Sequence, residues 1–407
     1  MLPKLLLSFV LAMLLLCNYA RAETPPVPAQ TITSKLEMVV CIDTGEGEGW
    51  SSLETPGTIK IPQCKSRVFG LTGLTERNVE AYKKELNRLQ IRCVRLKRDV
   101  TDAALKNYAD AGLFANITSF ELLNCVDLTD ITPLAKLENI TSLELRGCKK
   151  LTDITPLAKL QKLTSLGLCG SNPFGFGGVT KLTDITPLGK LENLISLKLW
   201  GSDKLTDITP LAGLKNLTSL CLWGCENLTD ITPLTKLPNL TSLSLCICGK
   251  LTDITPLAKL QNLTTLDLSW CEKLTDLAPL AALRKLTVLN LRHCEEIRDI
   301  QPLAWLPNLV ELDLAYCSNI NNFYPISGHK QLERLDVTIP KNDLTFFRNQ
   351  KQLKELYLID CPKLSDVAPL ARLQKLERLT FRNCKLVTQE KRDELKKKLP
   401  NCVIPPR

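Results

Sequence analysis

The stretch Leu251-Thr-Asp-Ile-Thr-Pro256-Leu-Ala-Lys-Leu260-Gln-Asn-Leu263-Thr-Thr-Leu266-Asp-Leu268-Ser-Trp-Cys271 decides how this chain is read, because close copies of it recur between Leu128 and Leu373. The prolines Pro187, Pro210, Pro233, Pro256, Pro279, Pro302 and Pro325 fall at a constant interval of 23 residues. Positions shared by every copy build the fold. Function has to be sought where the copies differ.

A fixed period in the twenties with leucines at L-x-x-L-x-L-x-x-C is the signature of a leucine-rich repeat solenoid, whose turns cannot bury their own leucines and so must stack. Leu266 and Leu268 alternate as a strand requires, which points both inward and leaves Thr265, Asp267 and Ser269 outward. Thr255-Pro256 reads as the start of a short helix, with threonine as cap and proline at the first position. Ile254, Leu257, Leu260 and Leu263 follow at intervals of three, which lines up one face of a 3₁₀ turn. The expected fold is an α/β solenoid: a leucine-rich repeat horseshoe with a parallel concave β-sheet, short 3₁₀ turns on the convex side, and a small α/β N-terminal cap.

Strand cores run from Phe120/Leu122 to Leu379/Phe381, about twelve by alignment of the repeat. Two irregularities interrupt the array. An insertion lies in the loop Cys169 to Lys181, and the copy around Leu335 to Leu353 has lost both its cysteine and its Thr-Pro.

The domain boundaries follow from composition. Residues 1–22 read as a secretory signal, with Lys4, an apolar run from Leu5 to Leu16 and Ala20-Arg-Ala22 as the cleavage site. Residues 23–35 read as a Pro/Thr-rich linker, 36–115 as a non-repeating flank that caps the array, 116–387 as the repeats, and 388–407 as a C-terminal cap. Within the flank, helices are expected over Glu76 to Gln90 and Thr101 to Ala111, with a strand over Ile91 to Leu96 between them. No second apolar run is long enough to span a bilayer, so the product is expected to be exported, secreted or periplasmic, with no anchor.

Of 17 cysteines, nine recur at one repeat position: Cys125, Cys148, Cys225, Cys248, Cys271, Cys294, Cys317, Cys361 and Cys384. A ladder of buried thiols is the structural reading, since free cysteine packs as a small hydrophobe. Metal binding would need ligands that converge, and a ladder spreads them out. Export permits disulfides, and Cys41 with Cys64 is the preferred pair.

Net charge is +9, and residues 60–98 alone hold eleven Lys/Arg against three Glu, leaving the remainder close to neutral. That distribution argues against a basic groove tracking nucleic acid along the array. It leaves the flank able to touch an anionic envelope surface. The Asn-x-Thr triplets at Asn116, Asn139, Asn216, Asn227, Asn239 and Asn262 belong to the repeat itself and read as structural.

The repeat string resembles those of the bacterial internalin family over about two thirds of the chain. In this chain the period is one residue longer than the usual internalin repeat, and cysteine stands at the asparagine site. Internalins are surface or secreted proteins that bind host proteins on the concave face, so the resemblance implies a secreted, non-enzymatic scaffold for a protein ligand, with no cofactor and no metal.

Catalytic motifs are missing: neither His293 nor His329 belongs to a metal or nucleophile pattern. An enzyme would have to place its site in the 36–115 flank, and a self-associating envelope protein is a third reading. The candidate ligand-binding residues come from the rare aromatics, which make up 5% of the chain. Trp200 and Trp223 share one concave position, Trp270, His293 and Tyr316 stack one position further along, and the insertion adds Phe174 and Phe176. Lys198, Asp267, Asn290, Arg292 and Asp313 would form the polar rim of such an interface.

Overall fold

In the computed structural model of the protein the described residues are 30–34, 36, 38–43, 50–54, 57–61, 66–71, 74–97, 100–170 and 181–406. Residues 1–22, read from sequence as a signal, Cys64, and the insertion with Phe174 and Phe176 lie outside them, as does the Cys41 side chain, so the expected disulfide and that part of the candidate site do too. The chain divides into two compact units, Met1–Cys221 and Leu222–Arg407.

The first unit begins with β1 (Gln30–Ser34), β2 (Met38–Asp43), β3 (Trp50–Glu54), β4 (Gly57–Ile61) and β5 (Ser66–Leu71). β1 pairs antiparallel with β4, so the stretch 23–35, read as a linker, contains a strand. β2 lies antiparallel between β3 and β5. Helix Val79–Arg88, β6 (Cys93–Lys97) and helix Asp102–Asp110 come next, where the periodicity of the flank placed two helices and a strand. From β5 onward the strands are parallel: β6 joins β5 and then β7 (Ser119–Leu123), so the flank continues the repeat sheet rather than merely covering its end. Asp102 fixes this junction by accepting from the backbone N–H of Thr129 and Asp130 and from the Thr129 hydroxyl. β8 (Ser142–Arg146), β9 (Ser165–Cys169), β10 (Ser196–Lys198) and β11 (Ser219–Cys221) complete the unit in unbroken register.

The second unit carries seven parallel strands: β12 (Ser242–Ser244), β13 (Thr265–Asp267), β14 (Val288–Asn290), β15 (Glu311–Leu314), β16 (Arg334–Val337), β17 (Glu355–Ile359) and β18 (Arg378–Arg382). β7 to β18 are the twelve strands the repeat encodes. At the far end β18 is capped by helix Gln389–Lys398 and by a bridge from Arg378 to Val403, which occupies backbone groups an open sheet edge would leave bare.

Between strands run 3₁₀ turns such as Thr255–Lys259, with Leu257 N–H bonded to Ile254 O and Leu260 N–H to Leu257 O, both at 2.9 Å. Threonine does not cap these turns. Asp253, two residues earlier, accepts the Thr255 N–H at 2.8 Å, and Asp153, Asp184, Asp207, Asp230 and Asp276 do the same in their repeats. A carboxylate reaches the orphan amide from a wider range of positions than a hydroxyl does, which explains why the aspartate recurs. In one repeat Leu251, Ile254, Leu257, Leu260, Leu263, Leu266 and Leu268 are all buried. Each such side chain contributes about 1.5–3 kcal/mol, offset by the entropy of ordering the chain.

The ladder cysteines are buried without exception. In the second unit their thiols donate to a carbonyl of the preceding repeat: Cys248 to Leu222 O, Cys271 to Leu245 O (3.3 Å), Cys294 to Leu268 O (3.1 Å) and Cys317 to Leu291 O (3.0 Å). Burial pushes the Cys271 and Cys317 thiols up to about 12. Asn139, Asn216 and Asn262 tie each repeat to the one before, their amides donating to Ala115 O, Glu192 O and Pro238 O.

Candidate functional site

On the sheet face of the first unit the outward side chains pair with one another. Arg95 meets Glu121 at 2.6 Å across β6 and β7, and Arg146 meets Glu144 at 3.3 Å. Gly167 leaves a notch that the Glu144 carboxylate fills, since a Cβ added there would lie 2.4 Å from it. Trp200, expected as an exposed anchor, is buried: 6% of its surface is accessible, and its indole N–H donates to the Cys221 sulfur at 2.9 Å. Arg146 and half-buried Lys198 approach its ring at 5.8 and 5.9 Å. The ring packs under a lid of cations instead of standing free.

The second unit holds Trp223, which is half-buried, and the remaining candidates. Asp267, Asn290 and Asp313 are in register on β13, β14 and β15. Sequence placed them on an accessible rim, but Asp267, Asn290 and Arg292 are all buried. The cause is local. Each of the three acceptors turns back onto the backbone two residues on: Asp267 Oδ1 takes the Ser269 N–H (2.9 Å) and hydroxyl (2.6 Å), Asn290 Oδ1 takes the Arg292 N–H (3.0 Å), and Asp313 Oδ1 takes the Ala315 N–H (2.8 Å). These side chains end the strand by forming an Asx turn.

That turn delivers the next residue into the left-handed region. Trp270, His293 and Tyr316 have φ of 59°, 57° and 63°; the equivalent positions in earlier repeats are Gly147, Gly201 and Gly224, together with Asn124 and Ile247, which are left-handed as well. A left-handed conformation costs a non-glycine residue about 1–2 kcal/mol. The three rings form a column: Trp270 and His293 have centroids 3.7 Å apart with planes at 21°, and His293 and Tyr316 are 4.1 Å apart at 8°. Each is half-buried. Arg292, bridged to Asp313 at 3.3 Å, lies 4.7 Å from the Tyr316 centroid.

Sequence reasoning overlooked the continuation of this row on the same face. Asp336 and Tyr357 extend the line of Asp313 on β16 and β17. Arg334 joins Asp336 at 3.2 Å and Glu355 at 3.5 Å, and sits 4.9 Å from the Tyr357 ring. The signal for them is in the strand motif itself, where Asp336 and Tyr357 are the outward residues of Leu335-Asp-Val337 and Leu356-Tyr-Leu358.

Burial dominates the electrostatics of the row. It pushes the Asp267 carboxyl up to about 6 against the bonds from Ser269 and Ser244. Asp336 is raised as well, by burial and then by the neighbouring Asp313, with Arg334 opposing. Burial and the Arg292 charge together push the His293 imidazole down to about 4, so it is neutral at pH 7. Among the described residues no three His, Cys, Asp or Glu side chains converge as a metal site, and no helix is long and apolar enough to cross a membrane.

Comparison with known proteins agrees with this architecture. The family described as Leucine Rich repeats (2 copies) matches residues 215–259 and 261–305. An internalin from Listeria monocytogenes shares the fold with a TM-score of 0.58 at 22% identity, over 82% of this chain and 89% of its own. Internalin C2 of the same organism is 30% identical over 55% of this chain and 83% of its own, with a TM-score of 0.40. The functional domain of InlJ from Listeria monocytogenes, described as including a cysteine ladder, aligns at 18% identity over 79% of this chain and 70% of its own, with a TM-score of 0.42. No curated protein sequence matches the chain.

Proposed function

We propose, from the premise that this chain is an internalin-like leucine-rich repeat protein, that it is an exported, non-enzymatic scaffold whose sheet face binds a protein ligand. The ring column of the second unit, Trp270, His293 and Tyr316, is the contact surface in this reading, with Asp313 and the Arg334–Glu355 pair beside it. One observation carries the proposal. Three consecutive repeats place bulky rings, stacked on one another, at a left-handed backbone position that Gly147, Gly201 and Gly224 fill in earlier repeats and that Asn124, Ile247, Asp360 and Asn383 fill without a ring in others, and strain of this kind persists where it serves something other than stability. Aromatic side chains held rigidly at low entropic cost are the usual anchors of protein interfaces.

The basic flank is a second contact in this reading, with an anionic envelope surface as its counterpart. Export is supported by the signal-like residues 1–22.

Glycine substitution tests the column without harming the backbone. Trp270→Gly and Tyr316→Gly remove the rings while relieving the left-handed strain. Affinity for a ligand captured from the native surroundings should fall by about 2 kcal/mol or more in either variant. Full retention of affinity in both would place the contact on another surface, and capture of further copies of the same chain would favour the self-associating reading.

A further inference from the structure

The repeat around Leu335 to Leu353, which has lost its cysteine and its Thr-Pro, also opens a cavity. From Cys317 to the start of the next 3₁₀ turn at Tyr324 is seven positions, whereas from Pro340 to Thr345 it is five. Strand register puts Pro340 in the ladder slot between Cys317 and Cys361, so no thiol reaches into the gap. Phe346 stands where the other turns carry proline. The shortened loop leaves a cavity of about 130 Å³, walled by Asn321, Asn322, Tyr324, Ile339, Lys341 and Phe346.

Its floor is aromatic and its mouth is polar. Phe323 and Phe346, both buried, stack with centroids 5.2 Å apart, while Tyr324 at one side is 76% exposed. At the mouth the Asp343 carboxylate is engaged by the Thr345 N–H (2.9 Å) and hydroxyl (2.7 Å), and Asn322 Oδ1 by the Tyr324 N–H (3.0 Å). The Lys341 ammonium makes no ion pair among the described residues. Both bonds to Asp343 fall on Oδ1, so Oδ2 remains an acceptor at the mouth, with the Lys341 charge acting on the same carboxylate.

A cavity of about 150 Å³ lined by apolar side chains is large enough to take up benzene. Here the Asp343 carboxylate and the Lys341 ammonium at the mouth add a preference for a hydroxyl on the ring, which can both donate and accept. We propose that this cavity is a binding site for a single aromatic ring of the phenol type, with the ring over Phe323 and Phe346 and its hydroxyl donating to Asp343 and accepting from Lys341. The site uses none of the residues of the ring column, so it stands or falls independently of the proposed function. A phenol ring can come from a small molecule or from a tyrosine side chain, and the experiment separates the two.

The full chain is titrated with p-cresol and, separately, with N-acetyl-tyrosinamide while the NMR signals of Ile339 and Phe346 are followed. Saturable shifts in about the millimolar range are expected for a fragment of this size. Shifts with p-cresol alone identify a free phenol as the ligand class, and shifts with both identify a tyrosine side chain. Ile339→Phe fills the cavity and should remove the shifts. Should that variant fail to fold, Tyr324→Ala, which alters only an exposed wall, should weaken binding by about tenfold. No saturable shift from either probe up to about 10 mM, or unchanged affinity in the variants, overturns the assignment.

Discussion

His293 offers the sharpest test of the backbone argument, because replacing it by glycine and by alanine should give an order opposite to that of ordinary structure. Its φ is 57°, and its ring stacks on both Trp270 and Tyr316. Either substitution removes two ring contacts worth about 0.5–1.5 kcal/mol each. Alanine keeps the left-handed penalty, so His293→Ala should lose about 1–3 kcal/mol. Glycine adopts this conformation freely and recovers about 1 kcal/mol, so His293→Gly should lose only about 0–2 kcal/mol. Urea unfolding of the matched pair reads the difference directly, with Val288→Ala and Val288→Gly in β14 as controls that should show the usual preference for alanine. If His293→Ala proves as stable as His293→Gly or more so, the left-handed assignment and the functional argument built on it both fail.

The buried groups and the flank give further expected outcomes. His293 has its folded pKa lowered from 6.5 to about 4, so its contribution to stability is present above pH 6.5 and lost as pH falls through 4; His293→Gln should therefore gain on the wild type by up to about 2 kcal/mol between pH 7 and pH 4 in urea melts, allowing for solvent screening of the half-buried ring, and a constant difference would refute the shift. Asp267 runs the other way: its folded pKa is raised to about 6, its contribution is complete below about 4 and lost as pH rises through 6, so Asp267→Asn should gain on the wild type on going from pH 4 to pH 7. The thiols of Cys225, Cys271 and Cys294, buried in the ladder, should resist alkylation until the protein is denatured, and Cys271→Ser should cost about 1–3 kcal/mol in unfolding free energy; rapid labelling of the native chain would show an accessible ladder. Deleting residues 36–115 would strip β5 and β6 from β7 and bare Phe120 and Leu122, so light scattering should report aggregation, whereas a monomeric, cooperatively melting array would show that the flank is dispensable to the fold.

Much of this molecule is written in its period. Leucine spacing determines the strand cores, intervals of three determine the 3₁₀ turns, and the recurrence of cysteine at one position determines a ladder, because each depends on a periodic side-chain direction that neighbouring residues alone impose. The candidate surface was only partly legible by the same means. Stacking of Trp270, His293 and Tyr316 could be read from their common repeat position, but whether a side chain in the outward row is accessible depends on what it bonds. Asp267 and Asn290 point outward by alternation and yet are buried, with their oxygens closing Asx turns on the residues beyond them. Trp200 is outward by the same rule and lies under Lys198, two residues before it, and under Arg146, which approaches from β8. The cavity beside Phe346 arises where a loop is shortened between stacked repeats, a gap with no counterpart in any local pattern. Periodicity sets the direction in which each side chain leaves the backbone, and only tertiary packing decides what it meets there.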